Sequence, residues 1–246
     1  MREINDVKYN DLGELLDIRL PETDFDTVFV YFHGGGLKNG DRTAGMVFSD
    51  YLTERGIAVV SVEYRMYPGA NFPDYLEDCA DAVAWTFEHI KEYGNCEKIY
   101  VGGSSAGGYI SMMLCFNPKY LGKHGIKPTD ITGYIHDAGQ PTGHFEVIKE
   151  KGHDPRDVVI DETAPMYFLG KSDTDISPML FIVSDNDMKC RYEQTMLMIA
   201  TLEHFGYDGE KISLSVQHGT HCHYINKLDE NGVSKFGKIV YDFINK

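Results

Sequence analysis

The pattern of apolar and polar positions predicts strands and helices that alternate along most of the chain. Two short runs, Thr27–Phe32 and Ile57–Val62, are apolar on both faces, which is typical of strands buried in a parallel sheet. A long helix is predicted between Pro73 and Gly94, where apolar residues recur at three- and four-residue spacing: Leu76, Cys79, Ala80, Val83, Ala84, Phe87 and Ile90. This alternation favours an α/β fold with a mainly parallel central sheet and helices on both of its faces.

The remaining pattern completes such a domain. We predict an opening hairpin from Val7–Tyr9 and Leu15–Leu20, strands at Lys98–Val101, Ile131–Ile135, Met179–Val183 and Ile212–Val216, helices at about 41–54, 106–115 and 191–204, and a last helix ending at Ile244. Residues 137–177 show no strong periodicity, and we interpret them as a substrate-binding insertion because long ordered loops usually carry function. With 246 residues, 42% of them apolar, the chain is expected to form one domain spanning residues 1–246.

Charge and composition exclude several classes of partner. The chain has 38 acidic and 23 basic residues, a net charge of −15, and no run of Lys and Arg, so we expect neither nucleic acid nor a membrane as partner. The N-terminus has no apolar leader and no run approaches a membrane span, which predicts a cytoplasmic protein. Five scattered cysteines without CxxC spacing indicate neither a disulfide framework nor a zinc cluster, and the oligomeric state stays open.

A candidate nucleophile lies where a predicted strand meets a predicted helix. The segment Gly103–Gly107 fits the pattern G-x-S-x-G, whose glycines allow a sharp turn with the serine at its tip. Ser105 has glycine two residues before and after it, whereas Ser104 is flanked by Gly102 and Ala106, so Ser105 is the predicted nucleophile. Neither glycine cluster has dinucleotide-motif spacing, and there is no Walker lysine, which argues against a nucleotide site.

A second glycine motif directly follows the first buried strand. His33-Gly34-Gly35-Gly36 lies well upstream of Ser105. Consecutive glycines leave backbone N–H groups unobstructed, as an oxyanion hole requires, although a flexible loop also uses such glycines. The order of the two motifs favours the oxyanion hole, and we expect His33 to have a structural role.

A serine nucleophile needs a general base, and the base needs an orienting acid, in the chain order Ser, acid, His. Asp187 follows the strand that starts at Met179, and His221 follows the strand that starts at Ile212. We predict these two residues as acid and base, with Asp185 the alternative acid and His218 and His223 alternative bases.

The histidine-rich segment also invites a metal interpretation. His221 and His223 flank Cys222, and the pair would chelate zinc, but no further acidic or Cys ligand is locally placed. The serine machinery already accounts for a histidine here. We therefore expect no metal and no cofactor.

At these motifs the chain resembles the hormone-sensitive-lipase-like esterase branch of the α/β-hydrolases, and it is also similar to carbohydrate acetyl and feruloyl esterases. The family's His-Gly-Gly-Gly is present, Tyr64–Pro68 matches Tyr-Arg-x-x-Pro, and Gly103–Gly108 matches Gly-Asp-Ser-Ala-Gly-Gly with Ser104 in place of the acidic residue. The resemblance implies the α/β-hydrolase fold. It also implies an oxyanion hole formed by three backbone amides, those of Gly35, Gly36 and Ala106.

The substrate class is inferred from what precedes and follows these motifs. Only 27 residues precede Val28, which predicts no large N-terminal cap and an open site for a short acyl group on a bulky alcohol, such as an acetylated carbohydrate. Asp137 and Gln140 follow a predicted strand and are candidate substrate contacts, or else parts of a buried polar turn. The expected function is a serine carboxylic-ester hydrolase acting on small-molecule or oligosaccharide esters. The alternatives are an arylformamidase-type amide hydrolase and a non-catalytic, hydrolase-derived binding protein.

Overall fold

A single sheet forms the centre of the molecule in the computed structural model, which describes residues 1–171 and 175–246. Its eight strands are β1 (Arg2–Lys8), β2 (Leu15–Leu20), β3 (Thr27–Phe32), β4 (Ile57–Val62), β5 (Lys98–Ser104), β6 (Gly133–Asp137), β7 (Met179–Ser184) and β8 (Ile212–Gln217). Their spatial order is β1-β2-β4-β3-β5-β6-β7-β8. β2 runs antiparallel to β1 and β4, and the strands from β4 to β8 are parallel, so the mainly parallel sheet is confirmed.

Helices cover both faces of this sheet, as predicted. They are α1 (Met46–Thr53), α2 (Asp74–His89), α3 (Ala106–Phe116), α4 (Lys119–Gly122), α5 (Phe145–Glu150), α6 (Arg191–His204) and α7 (Lys235–Ile244). Successive side chains of a strand point to opposite faces, so β3 serves two cores. Phe29 and Tyr31 pack with residues of α1 and α7, whereas Val28 and Val30 pack with residues of α2 and α3.

The bounds of some predicted elements differ from those in the structure. α1 begins only at Met46, because Gly45 adopts a left-handed conformation with φ of 88° and ends the preceding turn. The strand predicted at Ile131–Ile135 is displaced to Gly133–Asp137. Its last residue is a fully buried aspartate, and a polar residue gives no hydropathy signal for a strand.

The segment predicted as an insertion is ordered over the part that the structure describes, and its residues 172–174 lie outside that part. It contains α5 and a short 3₁₀ helix, Pro165–Phe168. The Tyr109 hydroxyl on α3 donates to the Thr163 carbonyl oxygen at 2.7 Å, which attaches the segment to the helix that follows the glycine-rich turn.

Two buried histidines make the stability of this fold sensitive to acid. Burial lowers the pKa of His136 to about 3, and burial together with the charge of Arg191 lowers the pKa of His144 to about 3. Both side chains are neutral in the folded protein at neutral pH. The unfolded chain binds protons at these residues below its histidine pKa of about 6.5. The stability that the fold gains from keeping these two histidines neutral is therefore fully present above about pH 6.5. It is lost as the pH falls from there towards 3.

We expect each buried histidine to reduce the free energy of unfolding by about 2 kcal/mol when the pH is lowered from 7.5 to 5. Urea unfolding of the wild type and of His136→Phe at both pH values isolates the contribution of His136 to this loss. The acid-induced loss should be about 2 kcal/mol smaller in the variant, whatever the substitution does to stability at pH 7.5. Equal losses in the two proteins would contradict a neutral, buried His136.

Candidate active site

Ser105 lies at the tip of a tight turn between β5 and α3. Its φ of 56° and ψ of −110° are unusual for a residue with a side chain and match the strained turn that G-x-S-x-G predicts. A Cβ atom at Gly103 would lie 2.5 Å from the Phe32 carbonyl oxygen, and one at Gly107 would overlap the same atom. The glycines are therefore required because the strand, turn and helix pack backbone against backbone.

The three side chains predicted as nucleophile, base and acid are brought together. His221 Nε2 lies 2.8 Å from Ser105 Oγ, and His221 Nδ1 lies 2.5 Å from Asp187 Oδ1. Asp187 and His221 are 34 residues apart in sequence, but they follow β7 and β8, which are neighbouring parallel strands that end at the same edge of the sheet. The geometry is that of a serine triad, and the catalytic roles remain predictions.

The carboxylate of Asp187 is stabilised in its charged form. Its side chain is fully buried, and burial alone would raise its pKa, but the bond to His221 and the amides of Met188 and Ser184 more than offset this effect. The two amides donate to the carboxylate at 2.7 Å and 3.3 Å. The pKa of Asp187 therefore lies below its usual value, as an acid that orients an imidazole without taking its proton requires.

The alternative acid and bases are engaged elsewhere. Asp185 Oδ2 lies 2.6 Å from Nδ1 of His218, whose side chain is 97% exposed, and Asp185 Oδ1 accepts a bond from the Gly219 amide. His223 Nδ1 lies 2.8 Å from the Thr220 carbonyl oxygen. In the described ranges, no group of three or more His, Cys, Asp or Glu side chains could hold a metal ion.

The second glycine motif lines the cleft beside Ser105. Gly35 and Gly36 have φ of 127° and 67°, and a Cβ atom at Gly34 would lie 3.3 Å from that of Ser105. Within residues 1–171 and 175–246, the amides of Gly35 and Gly36 donate no hydrogen bond. Ala106 is the first residue of α3, where amides lack partners within the helix. All three predicted amides are therefore near Ser105 and available to an oxyanion.

His33 supports this glycine loop from below. Its side chain is fully buried, its Nδ1 lies 2.7 Å from the Gly34 carbonyl oxygen, and its ring stacks on Tyr64 with centroids 4.3 Å apart. The Tyr64 hydroxyl donates to the His33 carbonyl oxygen at 2.8 Å. The expected structural role of His33 agrees with these contacts. Tyr64, which the sequence showed only as part of the Tyr-Arg-x-x-Pro motif, holds the same loop.

Three apolar side chains complete the cleft, which has a volume of about 340 Å³. Phe145, Met188 and Ile225 line it together with the glycines, Ser105 and His221. None of the three was predicted from the sequence, because single apolar residues in loops and short helices belong to no motif. The only available signal was that Phe145 falls in the segment interpreted as a substrate-binding insertion.

Asp137 and Gln140 require a correction, since both are buried inside the protein instead of facing a substrate. Asp137 is fully buried and accepts a hydrogen bond from the Tyr224 hydroxyl. Gln140 is 7% exposed, donates to the Gly143 carbonyl oxygen at 2.8 Å and accepts a bond from Arg191 at 3.3 Å. The alternative of a buried polar turn fits them, because protein groups satisfy both side chains.

Comparison with known proteins agrees with this architecture. A sequence profile described as alpha/beta hydrolase fold matches residues 29–227. The chain belongs to the alpha/beta hydrolase fold family. The predicted fold is thereby confirmed. Among the described residues, no helix is both long and apolar enough to cross a membrane.

Several proteins that are similar to the chain bear esterase or lipase names. It is 27% identical over 249 residues to probable carboxylesterase 3 of Arabidopsis thaliana, covering 88% of this chain and 76% of that protein. It is 36% identical over 107 residues to Lipase 2 of Moraxella sp. (strain TA144), covering 43% of this chain and 23% of that protein. It is 35% identical over 92 residues to human hormone-sensitive lipase, covering 37% of this chain and 8% of that protein. The chain thus spans about a quarter of Lipase 2. These relatives confirm the resemblance to the hormone-sensitive-lipase-like branch.

Solved structures share the fold over nearly the whole chain. An esterase of Thermogutta terrifontis with bound propionate has a TM-score of 0.76 at 17% identity, covering 99% of this chain and 93% of that one. A truncated carbohydrate esterase from gut microbiota has a TM-score of 0.78 at 17% identity, covering 100% of this chain and 97% of that one. At such identities the similarity establishes the fold alone.

Proposed function

We propose that the protein is a serine carboxylic-ester hydrolase, with Ser105 as nucleophile, His221 as general base and Asp187 as orienting acid. The observation that carries the proposal is the 2.8 Å contact between His221 Nε2 and Ser105 Oγ, since a serine becomes nucleophilic only when a base can take its proton. The names of the carboxylesterase and lipase relatives support the same chemistry.

The proposed reaction proceeds through an acyl-enzyme. As Ser105 Oγ attacks the ester carbonyl carbon, its proton passes to His221 Nε2, and the protonated imidazole then gives that proton to the leaving alcohol oxygen. Water enters, loses a proton to His221 and attacks the acyl carbon, which releases the carboxylic acid and returns the proton to Ser105. The amides of Gly35, Gly36 and Ala106 stabilise the negative oxygen in both tetrahedral intermediates.

We further propose that the acyl group is short and that acetylated carbohydrates are among the substrates. The cleft beside Ser105 has a volume of only about 340 Å³, and Phe145, Met188 and Ile225 give it apolar walls. The propionate in one structural neighbour and the carbohydrate esterase name of another agree with this substrate class. In this proposal, residues 1–246 form one hydrolase domain in which segment 137–177 supplies a cleft wall through Phe145.

A series of p-nitrophenyl esters tests the proposal. We expect kcat/KM to be highest for acetyl to butyryl esters and to fall by about tenfold or more at octanoyl, a difference of about 1.4 kcal/mol. A methylene that remains outside the cleft forfeits up to about 0.8 kcal/mol of burial, so longer chains gain little. Acetylated xylo-oligosaccharides should also be turned over. Efficiency that rises steadily to decanoyl would contradict the short acyl group.

A serine-directed phosphonate and a second substrate separate the alternatives. An esterase should be labelled with one phosphonate per chain and lose its activity in parallel. Turnover of N-formylkynurenine well above that of acetyl esters would favour the arylformamidase-type amide hydrolase. A protein that binds esters but neither hydrolyses them nor takes up the phosphonate would be the hydrolase-derived binding protein.

A further inference from the structure

A second buried carboxylate lies directly beneath the nucleophile. Asp137 ends β6, and the register of the sheet pairs it with Ser104, the residue before Ser105. Side chains of paired residues on neighbouring strands point to the same face. The Asp137 carbonyl oxygen accepts a bond from the Ser105 amide at 2.7 Å, so this residue contacts the backbone of the strained turn as well.

The same carboxylate contacts the loop that carries the proposed base. Oδ1 accepts the hydrogen bond of the Tyr224 hydroxyl, and Oδ2 lies 4.0 Å from the Cys222 sulfur. That sulfur in turn lies 3.7 Å from His221 Nε2. Asp137 therefore links the nucleophile turn to Cys222 and Tyr224, two residues that closely follow His221 in the chain.

We propose that Asp137 is a positioning residue for His221, which fixes the histidine loop against β6 and whose negative charge stabilises the imidazolium that forms during each proton transfer. The inference rests on the proposed function. Asp187 holds Nδ1, whereas Asp137 contacts the Cys222 sulfur, which lies near Nε2. Because the surroundings are buried, its charge is screened far less than that of a surface carboxylate.

The groups around Asp137 decide when this charge is present. Burial raises the pKa of Asp137 to about 6, while the Ser104 and Tyr224 hydroxyls and the charge of His221 favour its ionised form. The other ionisable groups in this region are the charged Asp187 and Arg191 and the buried Tyr31 and Cys222. The carboxylate is charged above about pH 6, and this buried charge destabilises the fold there. The destabilisation disappears as the pH falls towards the unfolded value of about 3.9.

The position also fits the departure from the family motif. In Gly-Asp-Ser-Ala-Gly-Gly an acidic residue directly precedes the nucleophile, and in this chain Ser104 occupies that place. Asp137 supplies a carboxylate from the paired position on the next strand. At the end of β5, Ser104 stands where the family motif has an acid, and the buried Asp137 lies opposite it at the end of β6.

Asp137→Asn provides the main test, because the amide keeps the shape of the side chain and removes its charge. With p-nitrophenyl acetate we expect kcat to fall at least tenfold while KM changes less than twofold. The acidic limb of the kcat/KM profile should move to lower pH, because the protonated imidazole loses a neighbouring negative charge. The melting temperature at pH 7.5 should stay equal or rise, since a buried charge has been removed.

Two further variants control for simple structural damage. Asp130→Asn, an exposed aspartate before the same strand, should leave kcat and the pH profile unchanged. The double variant Ser104→Asp, Asp137→Ser should have at least a tenfold higher kcat than Asp137→Ser alone, because it returns the carboxylate to the paired position. A residue that merely fills space would show no such rescue.

The outcomes distinguish failure of the role inferred for Asp137 from failure of the proposed esterase function. An Asp137→Asn protein with wild-type kcat and an unmoved acidic limb overturns the inference, as does a lowered melting temperature with an unmoved limb. If the wild type hydrolyses no ester and takes up no phosphonate, the proposed function itself fails. A reduced kcat, a shifted limb and rescue by the double variant support the inference.

Discussion

Replacing Ser105 with Ala is expected to lower kcat/KM for p-nitrophenyl acetate by about three orders of magnitude or more. The acyl-enzyme can no longer form, and what remains is the stabilisation of an oxyanion by backbone amides. The change removes one oxygen atom and leaves the backbone turn intact, so the melting temperature should change little. Kinetics, phosphonate labelling and thermal unfolding on the same preparation measure the three effects.

Ser104→Ala is the matched control for this loss. Ser104 is the neighbouring residue, but it is 1% exposed and belongs to the end of β5, and in the described residues its hydroxyl makes no hydrogen bond to His221. We expect its kcat/KM to stay within about tenfold of the wild type. An inactive Ser104 variant beside an active Ser105 variant would move the nucleophile by one residue.

Asp187→Asn is expected to cost about 10² to 10⁴ in kcat. The amide preserves the size of the side chain, but it can present an N–H to the ring, which favours the wrong tautomer and no longer stabilises the imidazolium. The fold should survive, because Met188 donates to Oδ1 and Ser184 to Oδ2, so that only one of the two amides loses its acceptor, at a cost of about 1–3 kcal/mol. Steady-state kinetics with a melting curve at pH 7.5 provides the measurement.

Asp185→Asn lies two residues away and tests the assignment of the acid. Its carboxylate contacts the exposed His218 and the Gly219 amide, so we expect kcat to fall no more than about threefold. If the two aspartate variants exchanged their effects, the orienting acid would be Asp185, and the contact between Asp187 and His221 would have another purpose.

The strands and the tight turn at Ser105 were predictable because local physics determines them. β3 and β4 are apolar on both faces, and only Ser105 has glycines at both required distances. The meeting of Asp187 with His221 could also be anticipated, because residues that follow neighbouring parallel strands share one edge of a sheet.

Other features were not predictable, since the sequence does not indicate the environment of a polar residue. Asp137 was a candidate substrate contact because it follows an apolar run, yet it is the buried last residue of β6. Gln140 was misassigned for the same reason, because its partner Arg191 lies 51 residues further along the chain. The cleft wall formed by Phe145 likewise depends on how a segment without periodicity packs.

The position of β8 has a consequence for how the molecule loses activity under stress. It is the last strand of the sheet, hydrogen-bonded to β7, and its Leu214 and Val216 are 40% and 44% exposed. Edge elements with few buried contacts open at lower free energy than the centre of a sheet. His221 lies in the loop that follows this strand, whereas Ser105 lies in the turn that follows the central β5. Inactivation on heating can therefore precede global denaturation. The hydrogen bond from the Tyr224 hydroxyl to Asp137 opposes the opening of this edge and so delays the inactivation.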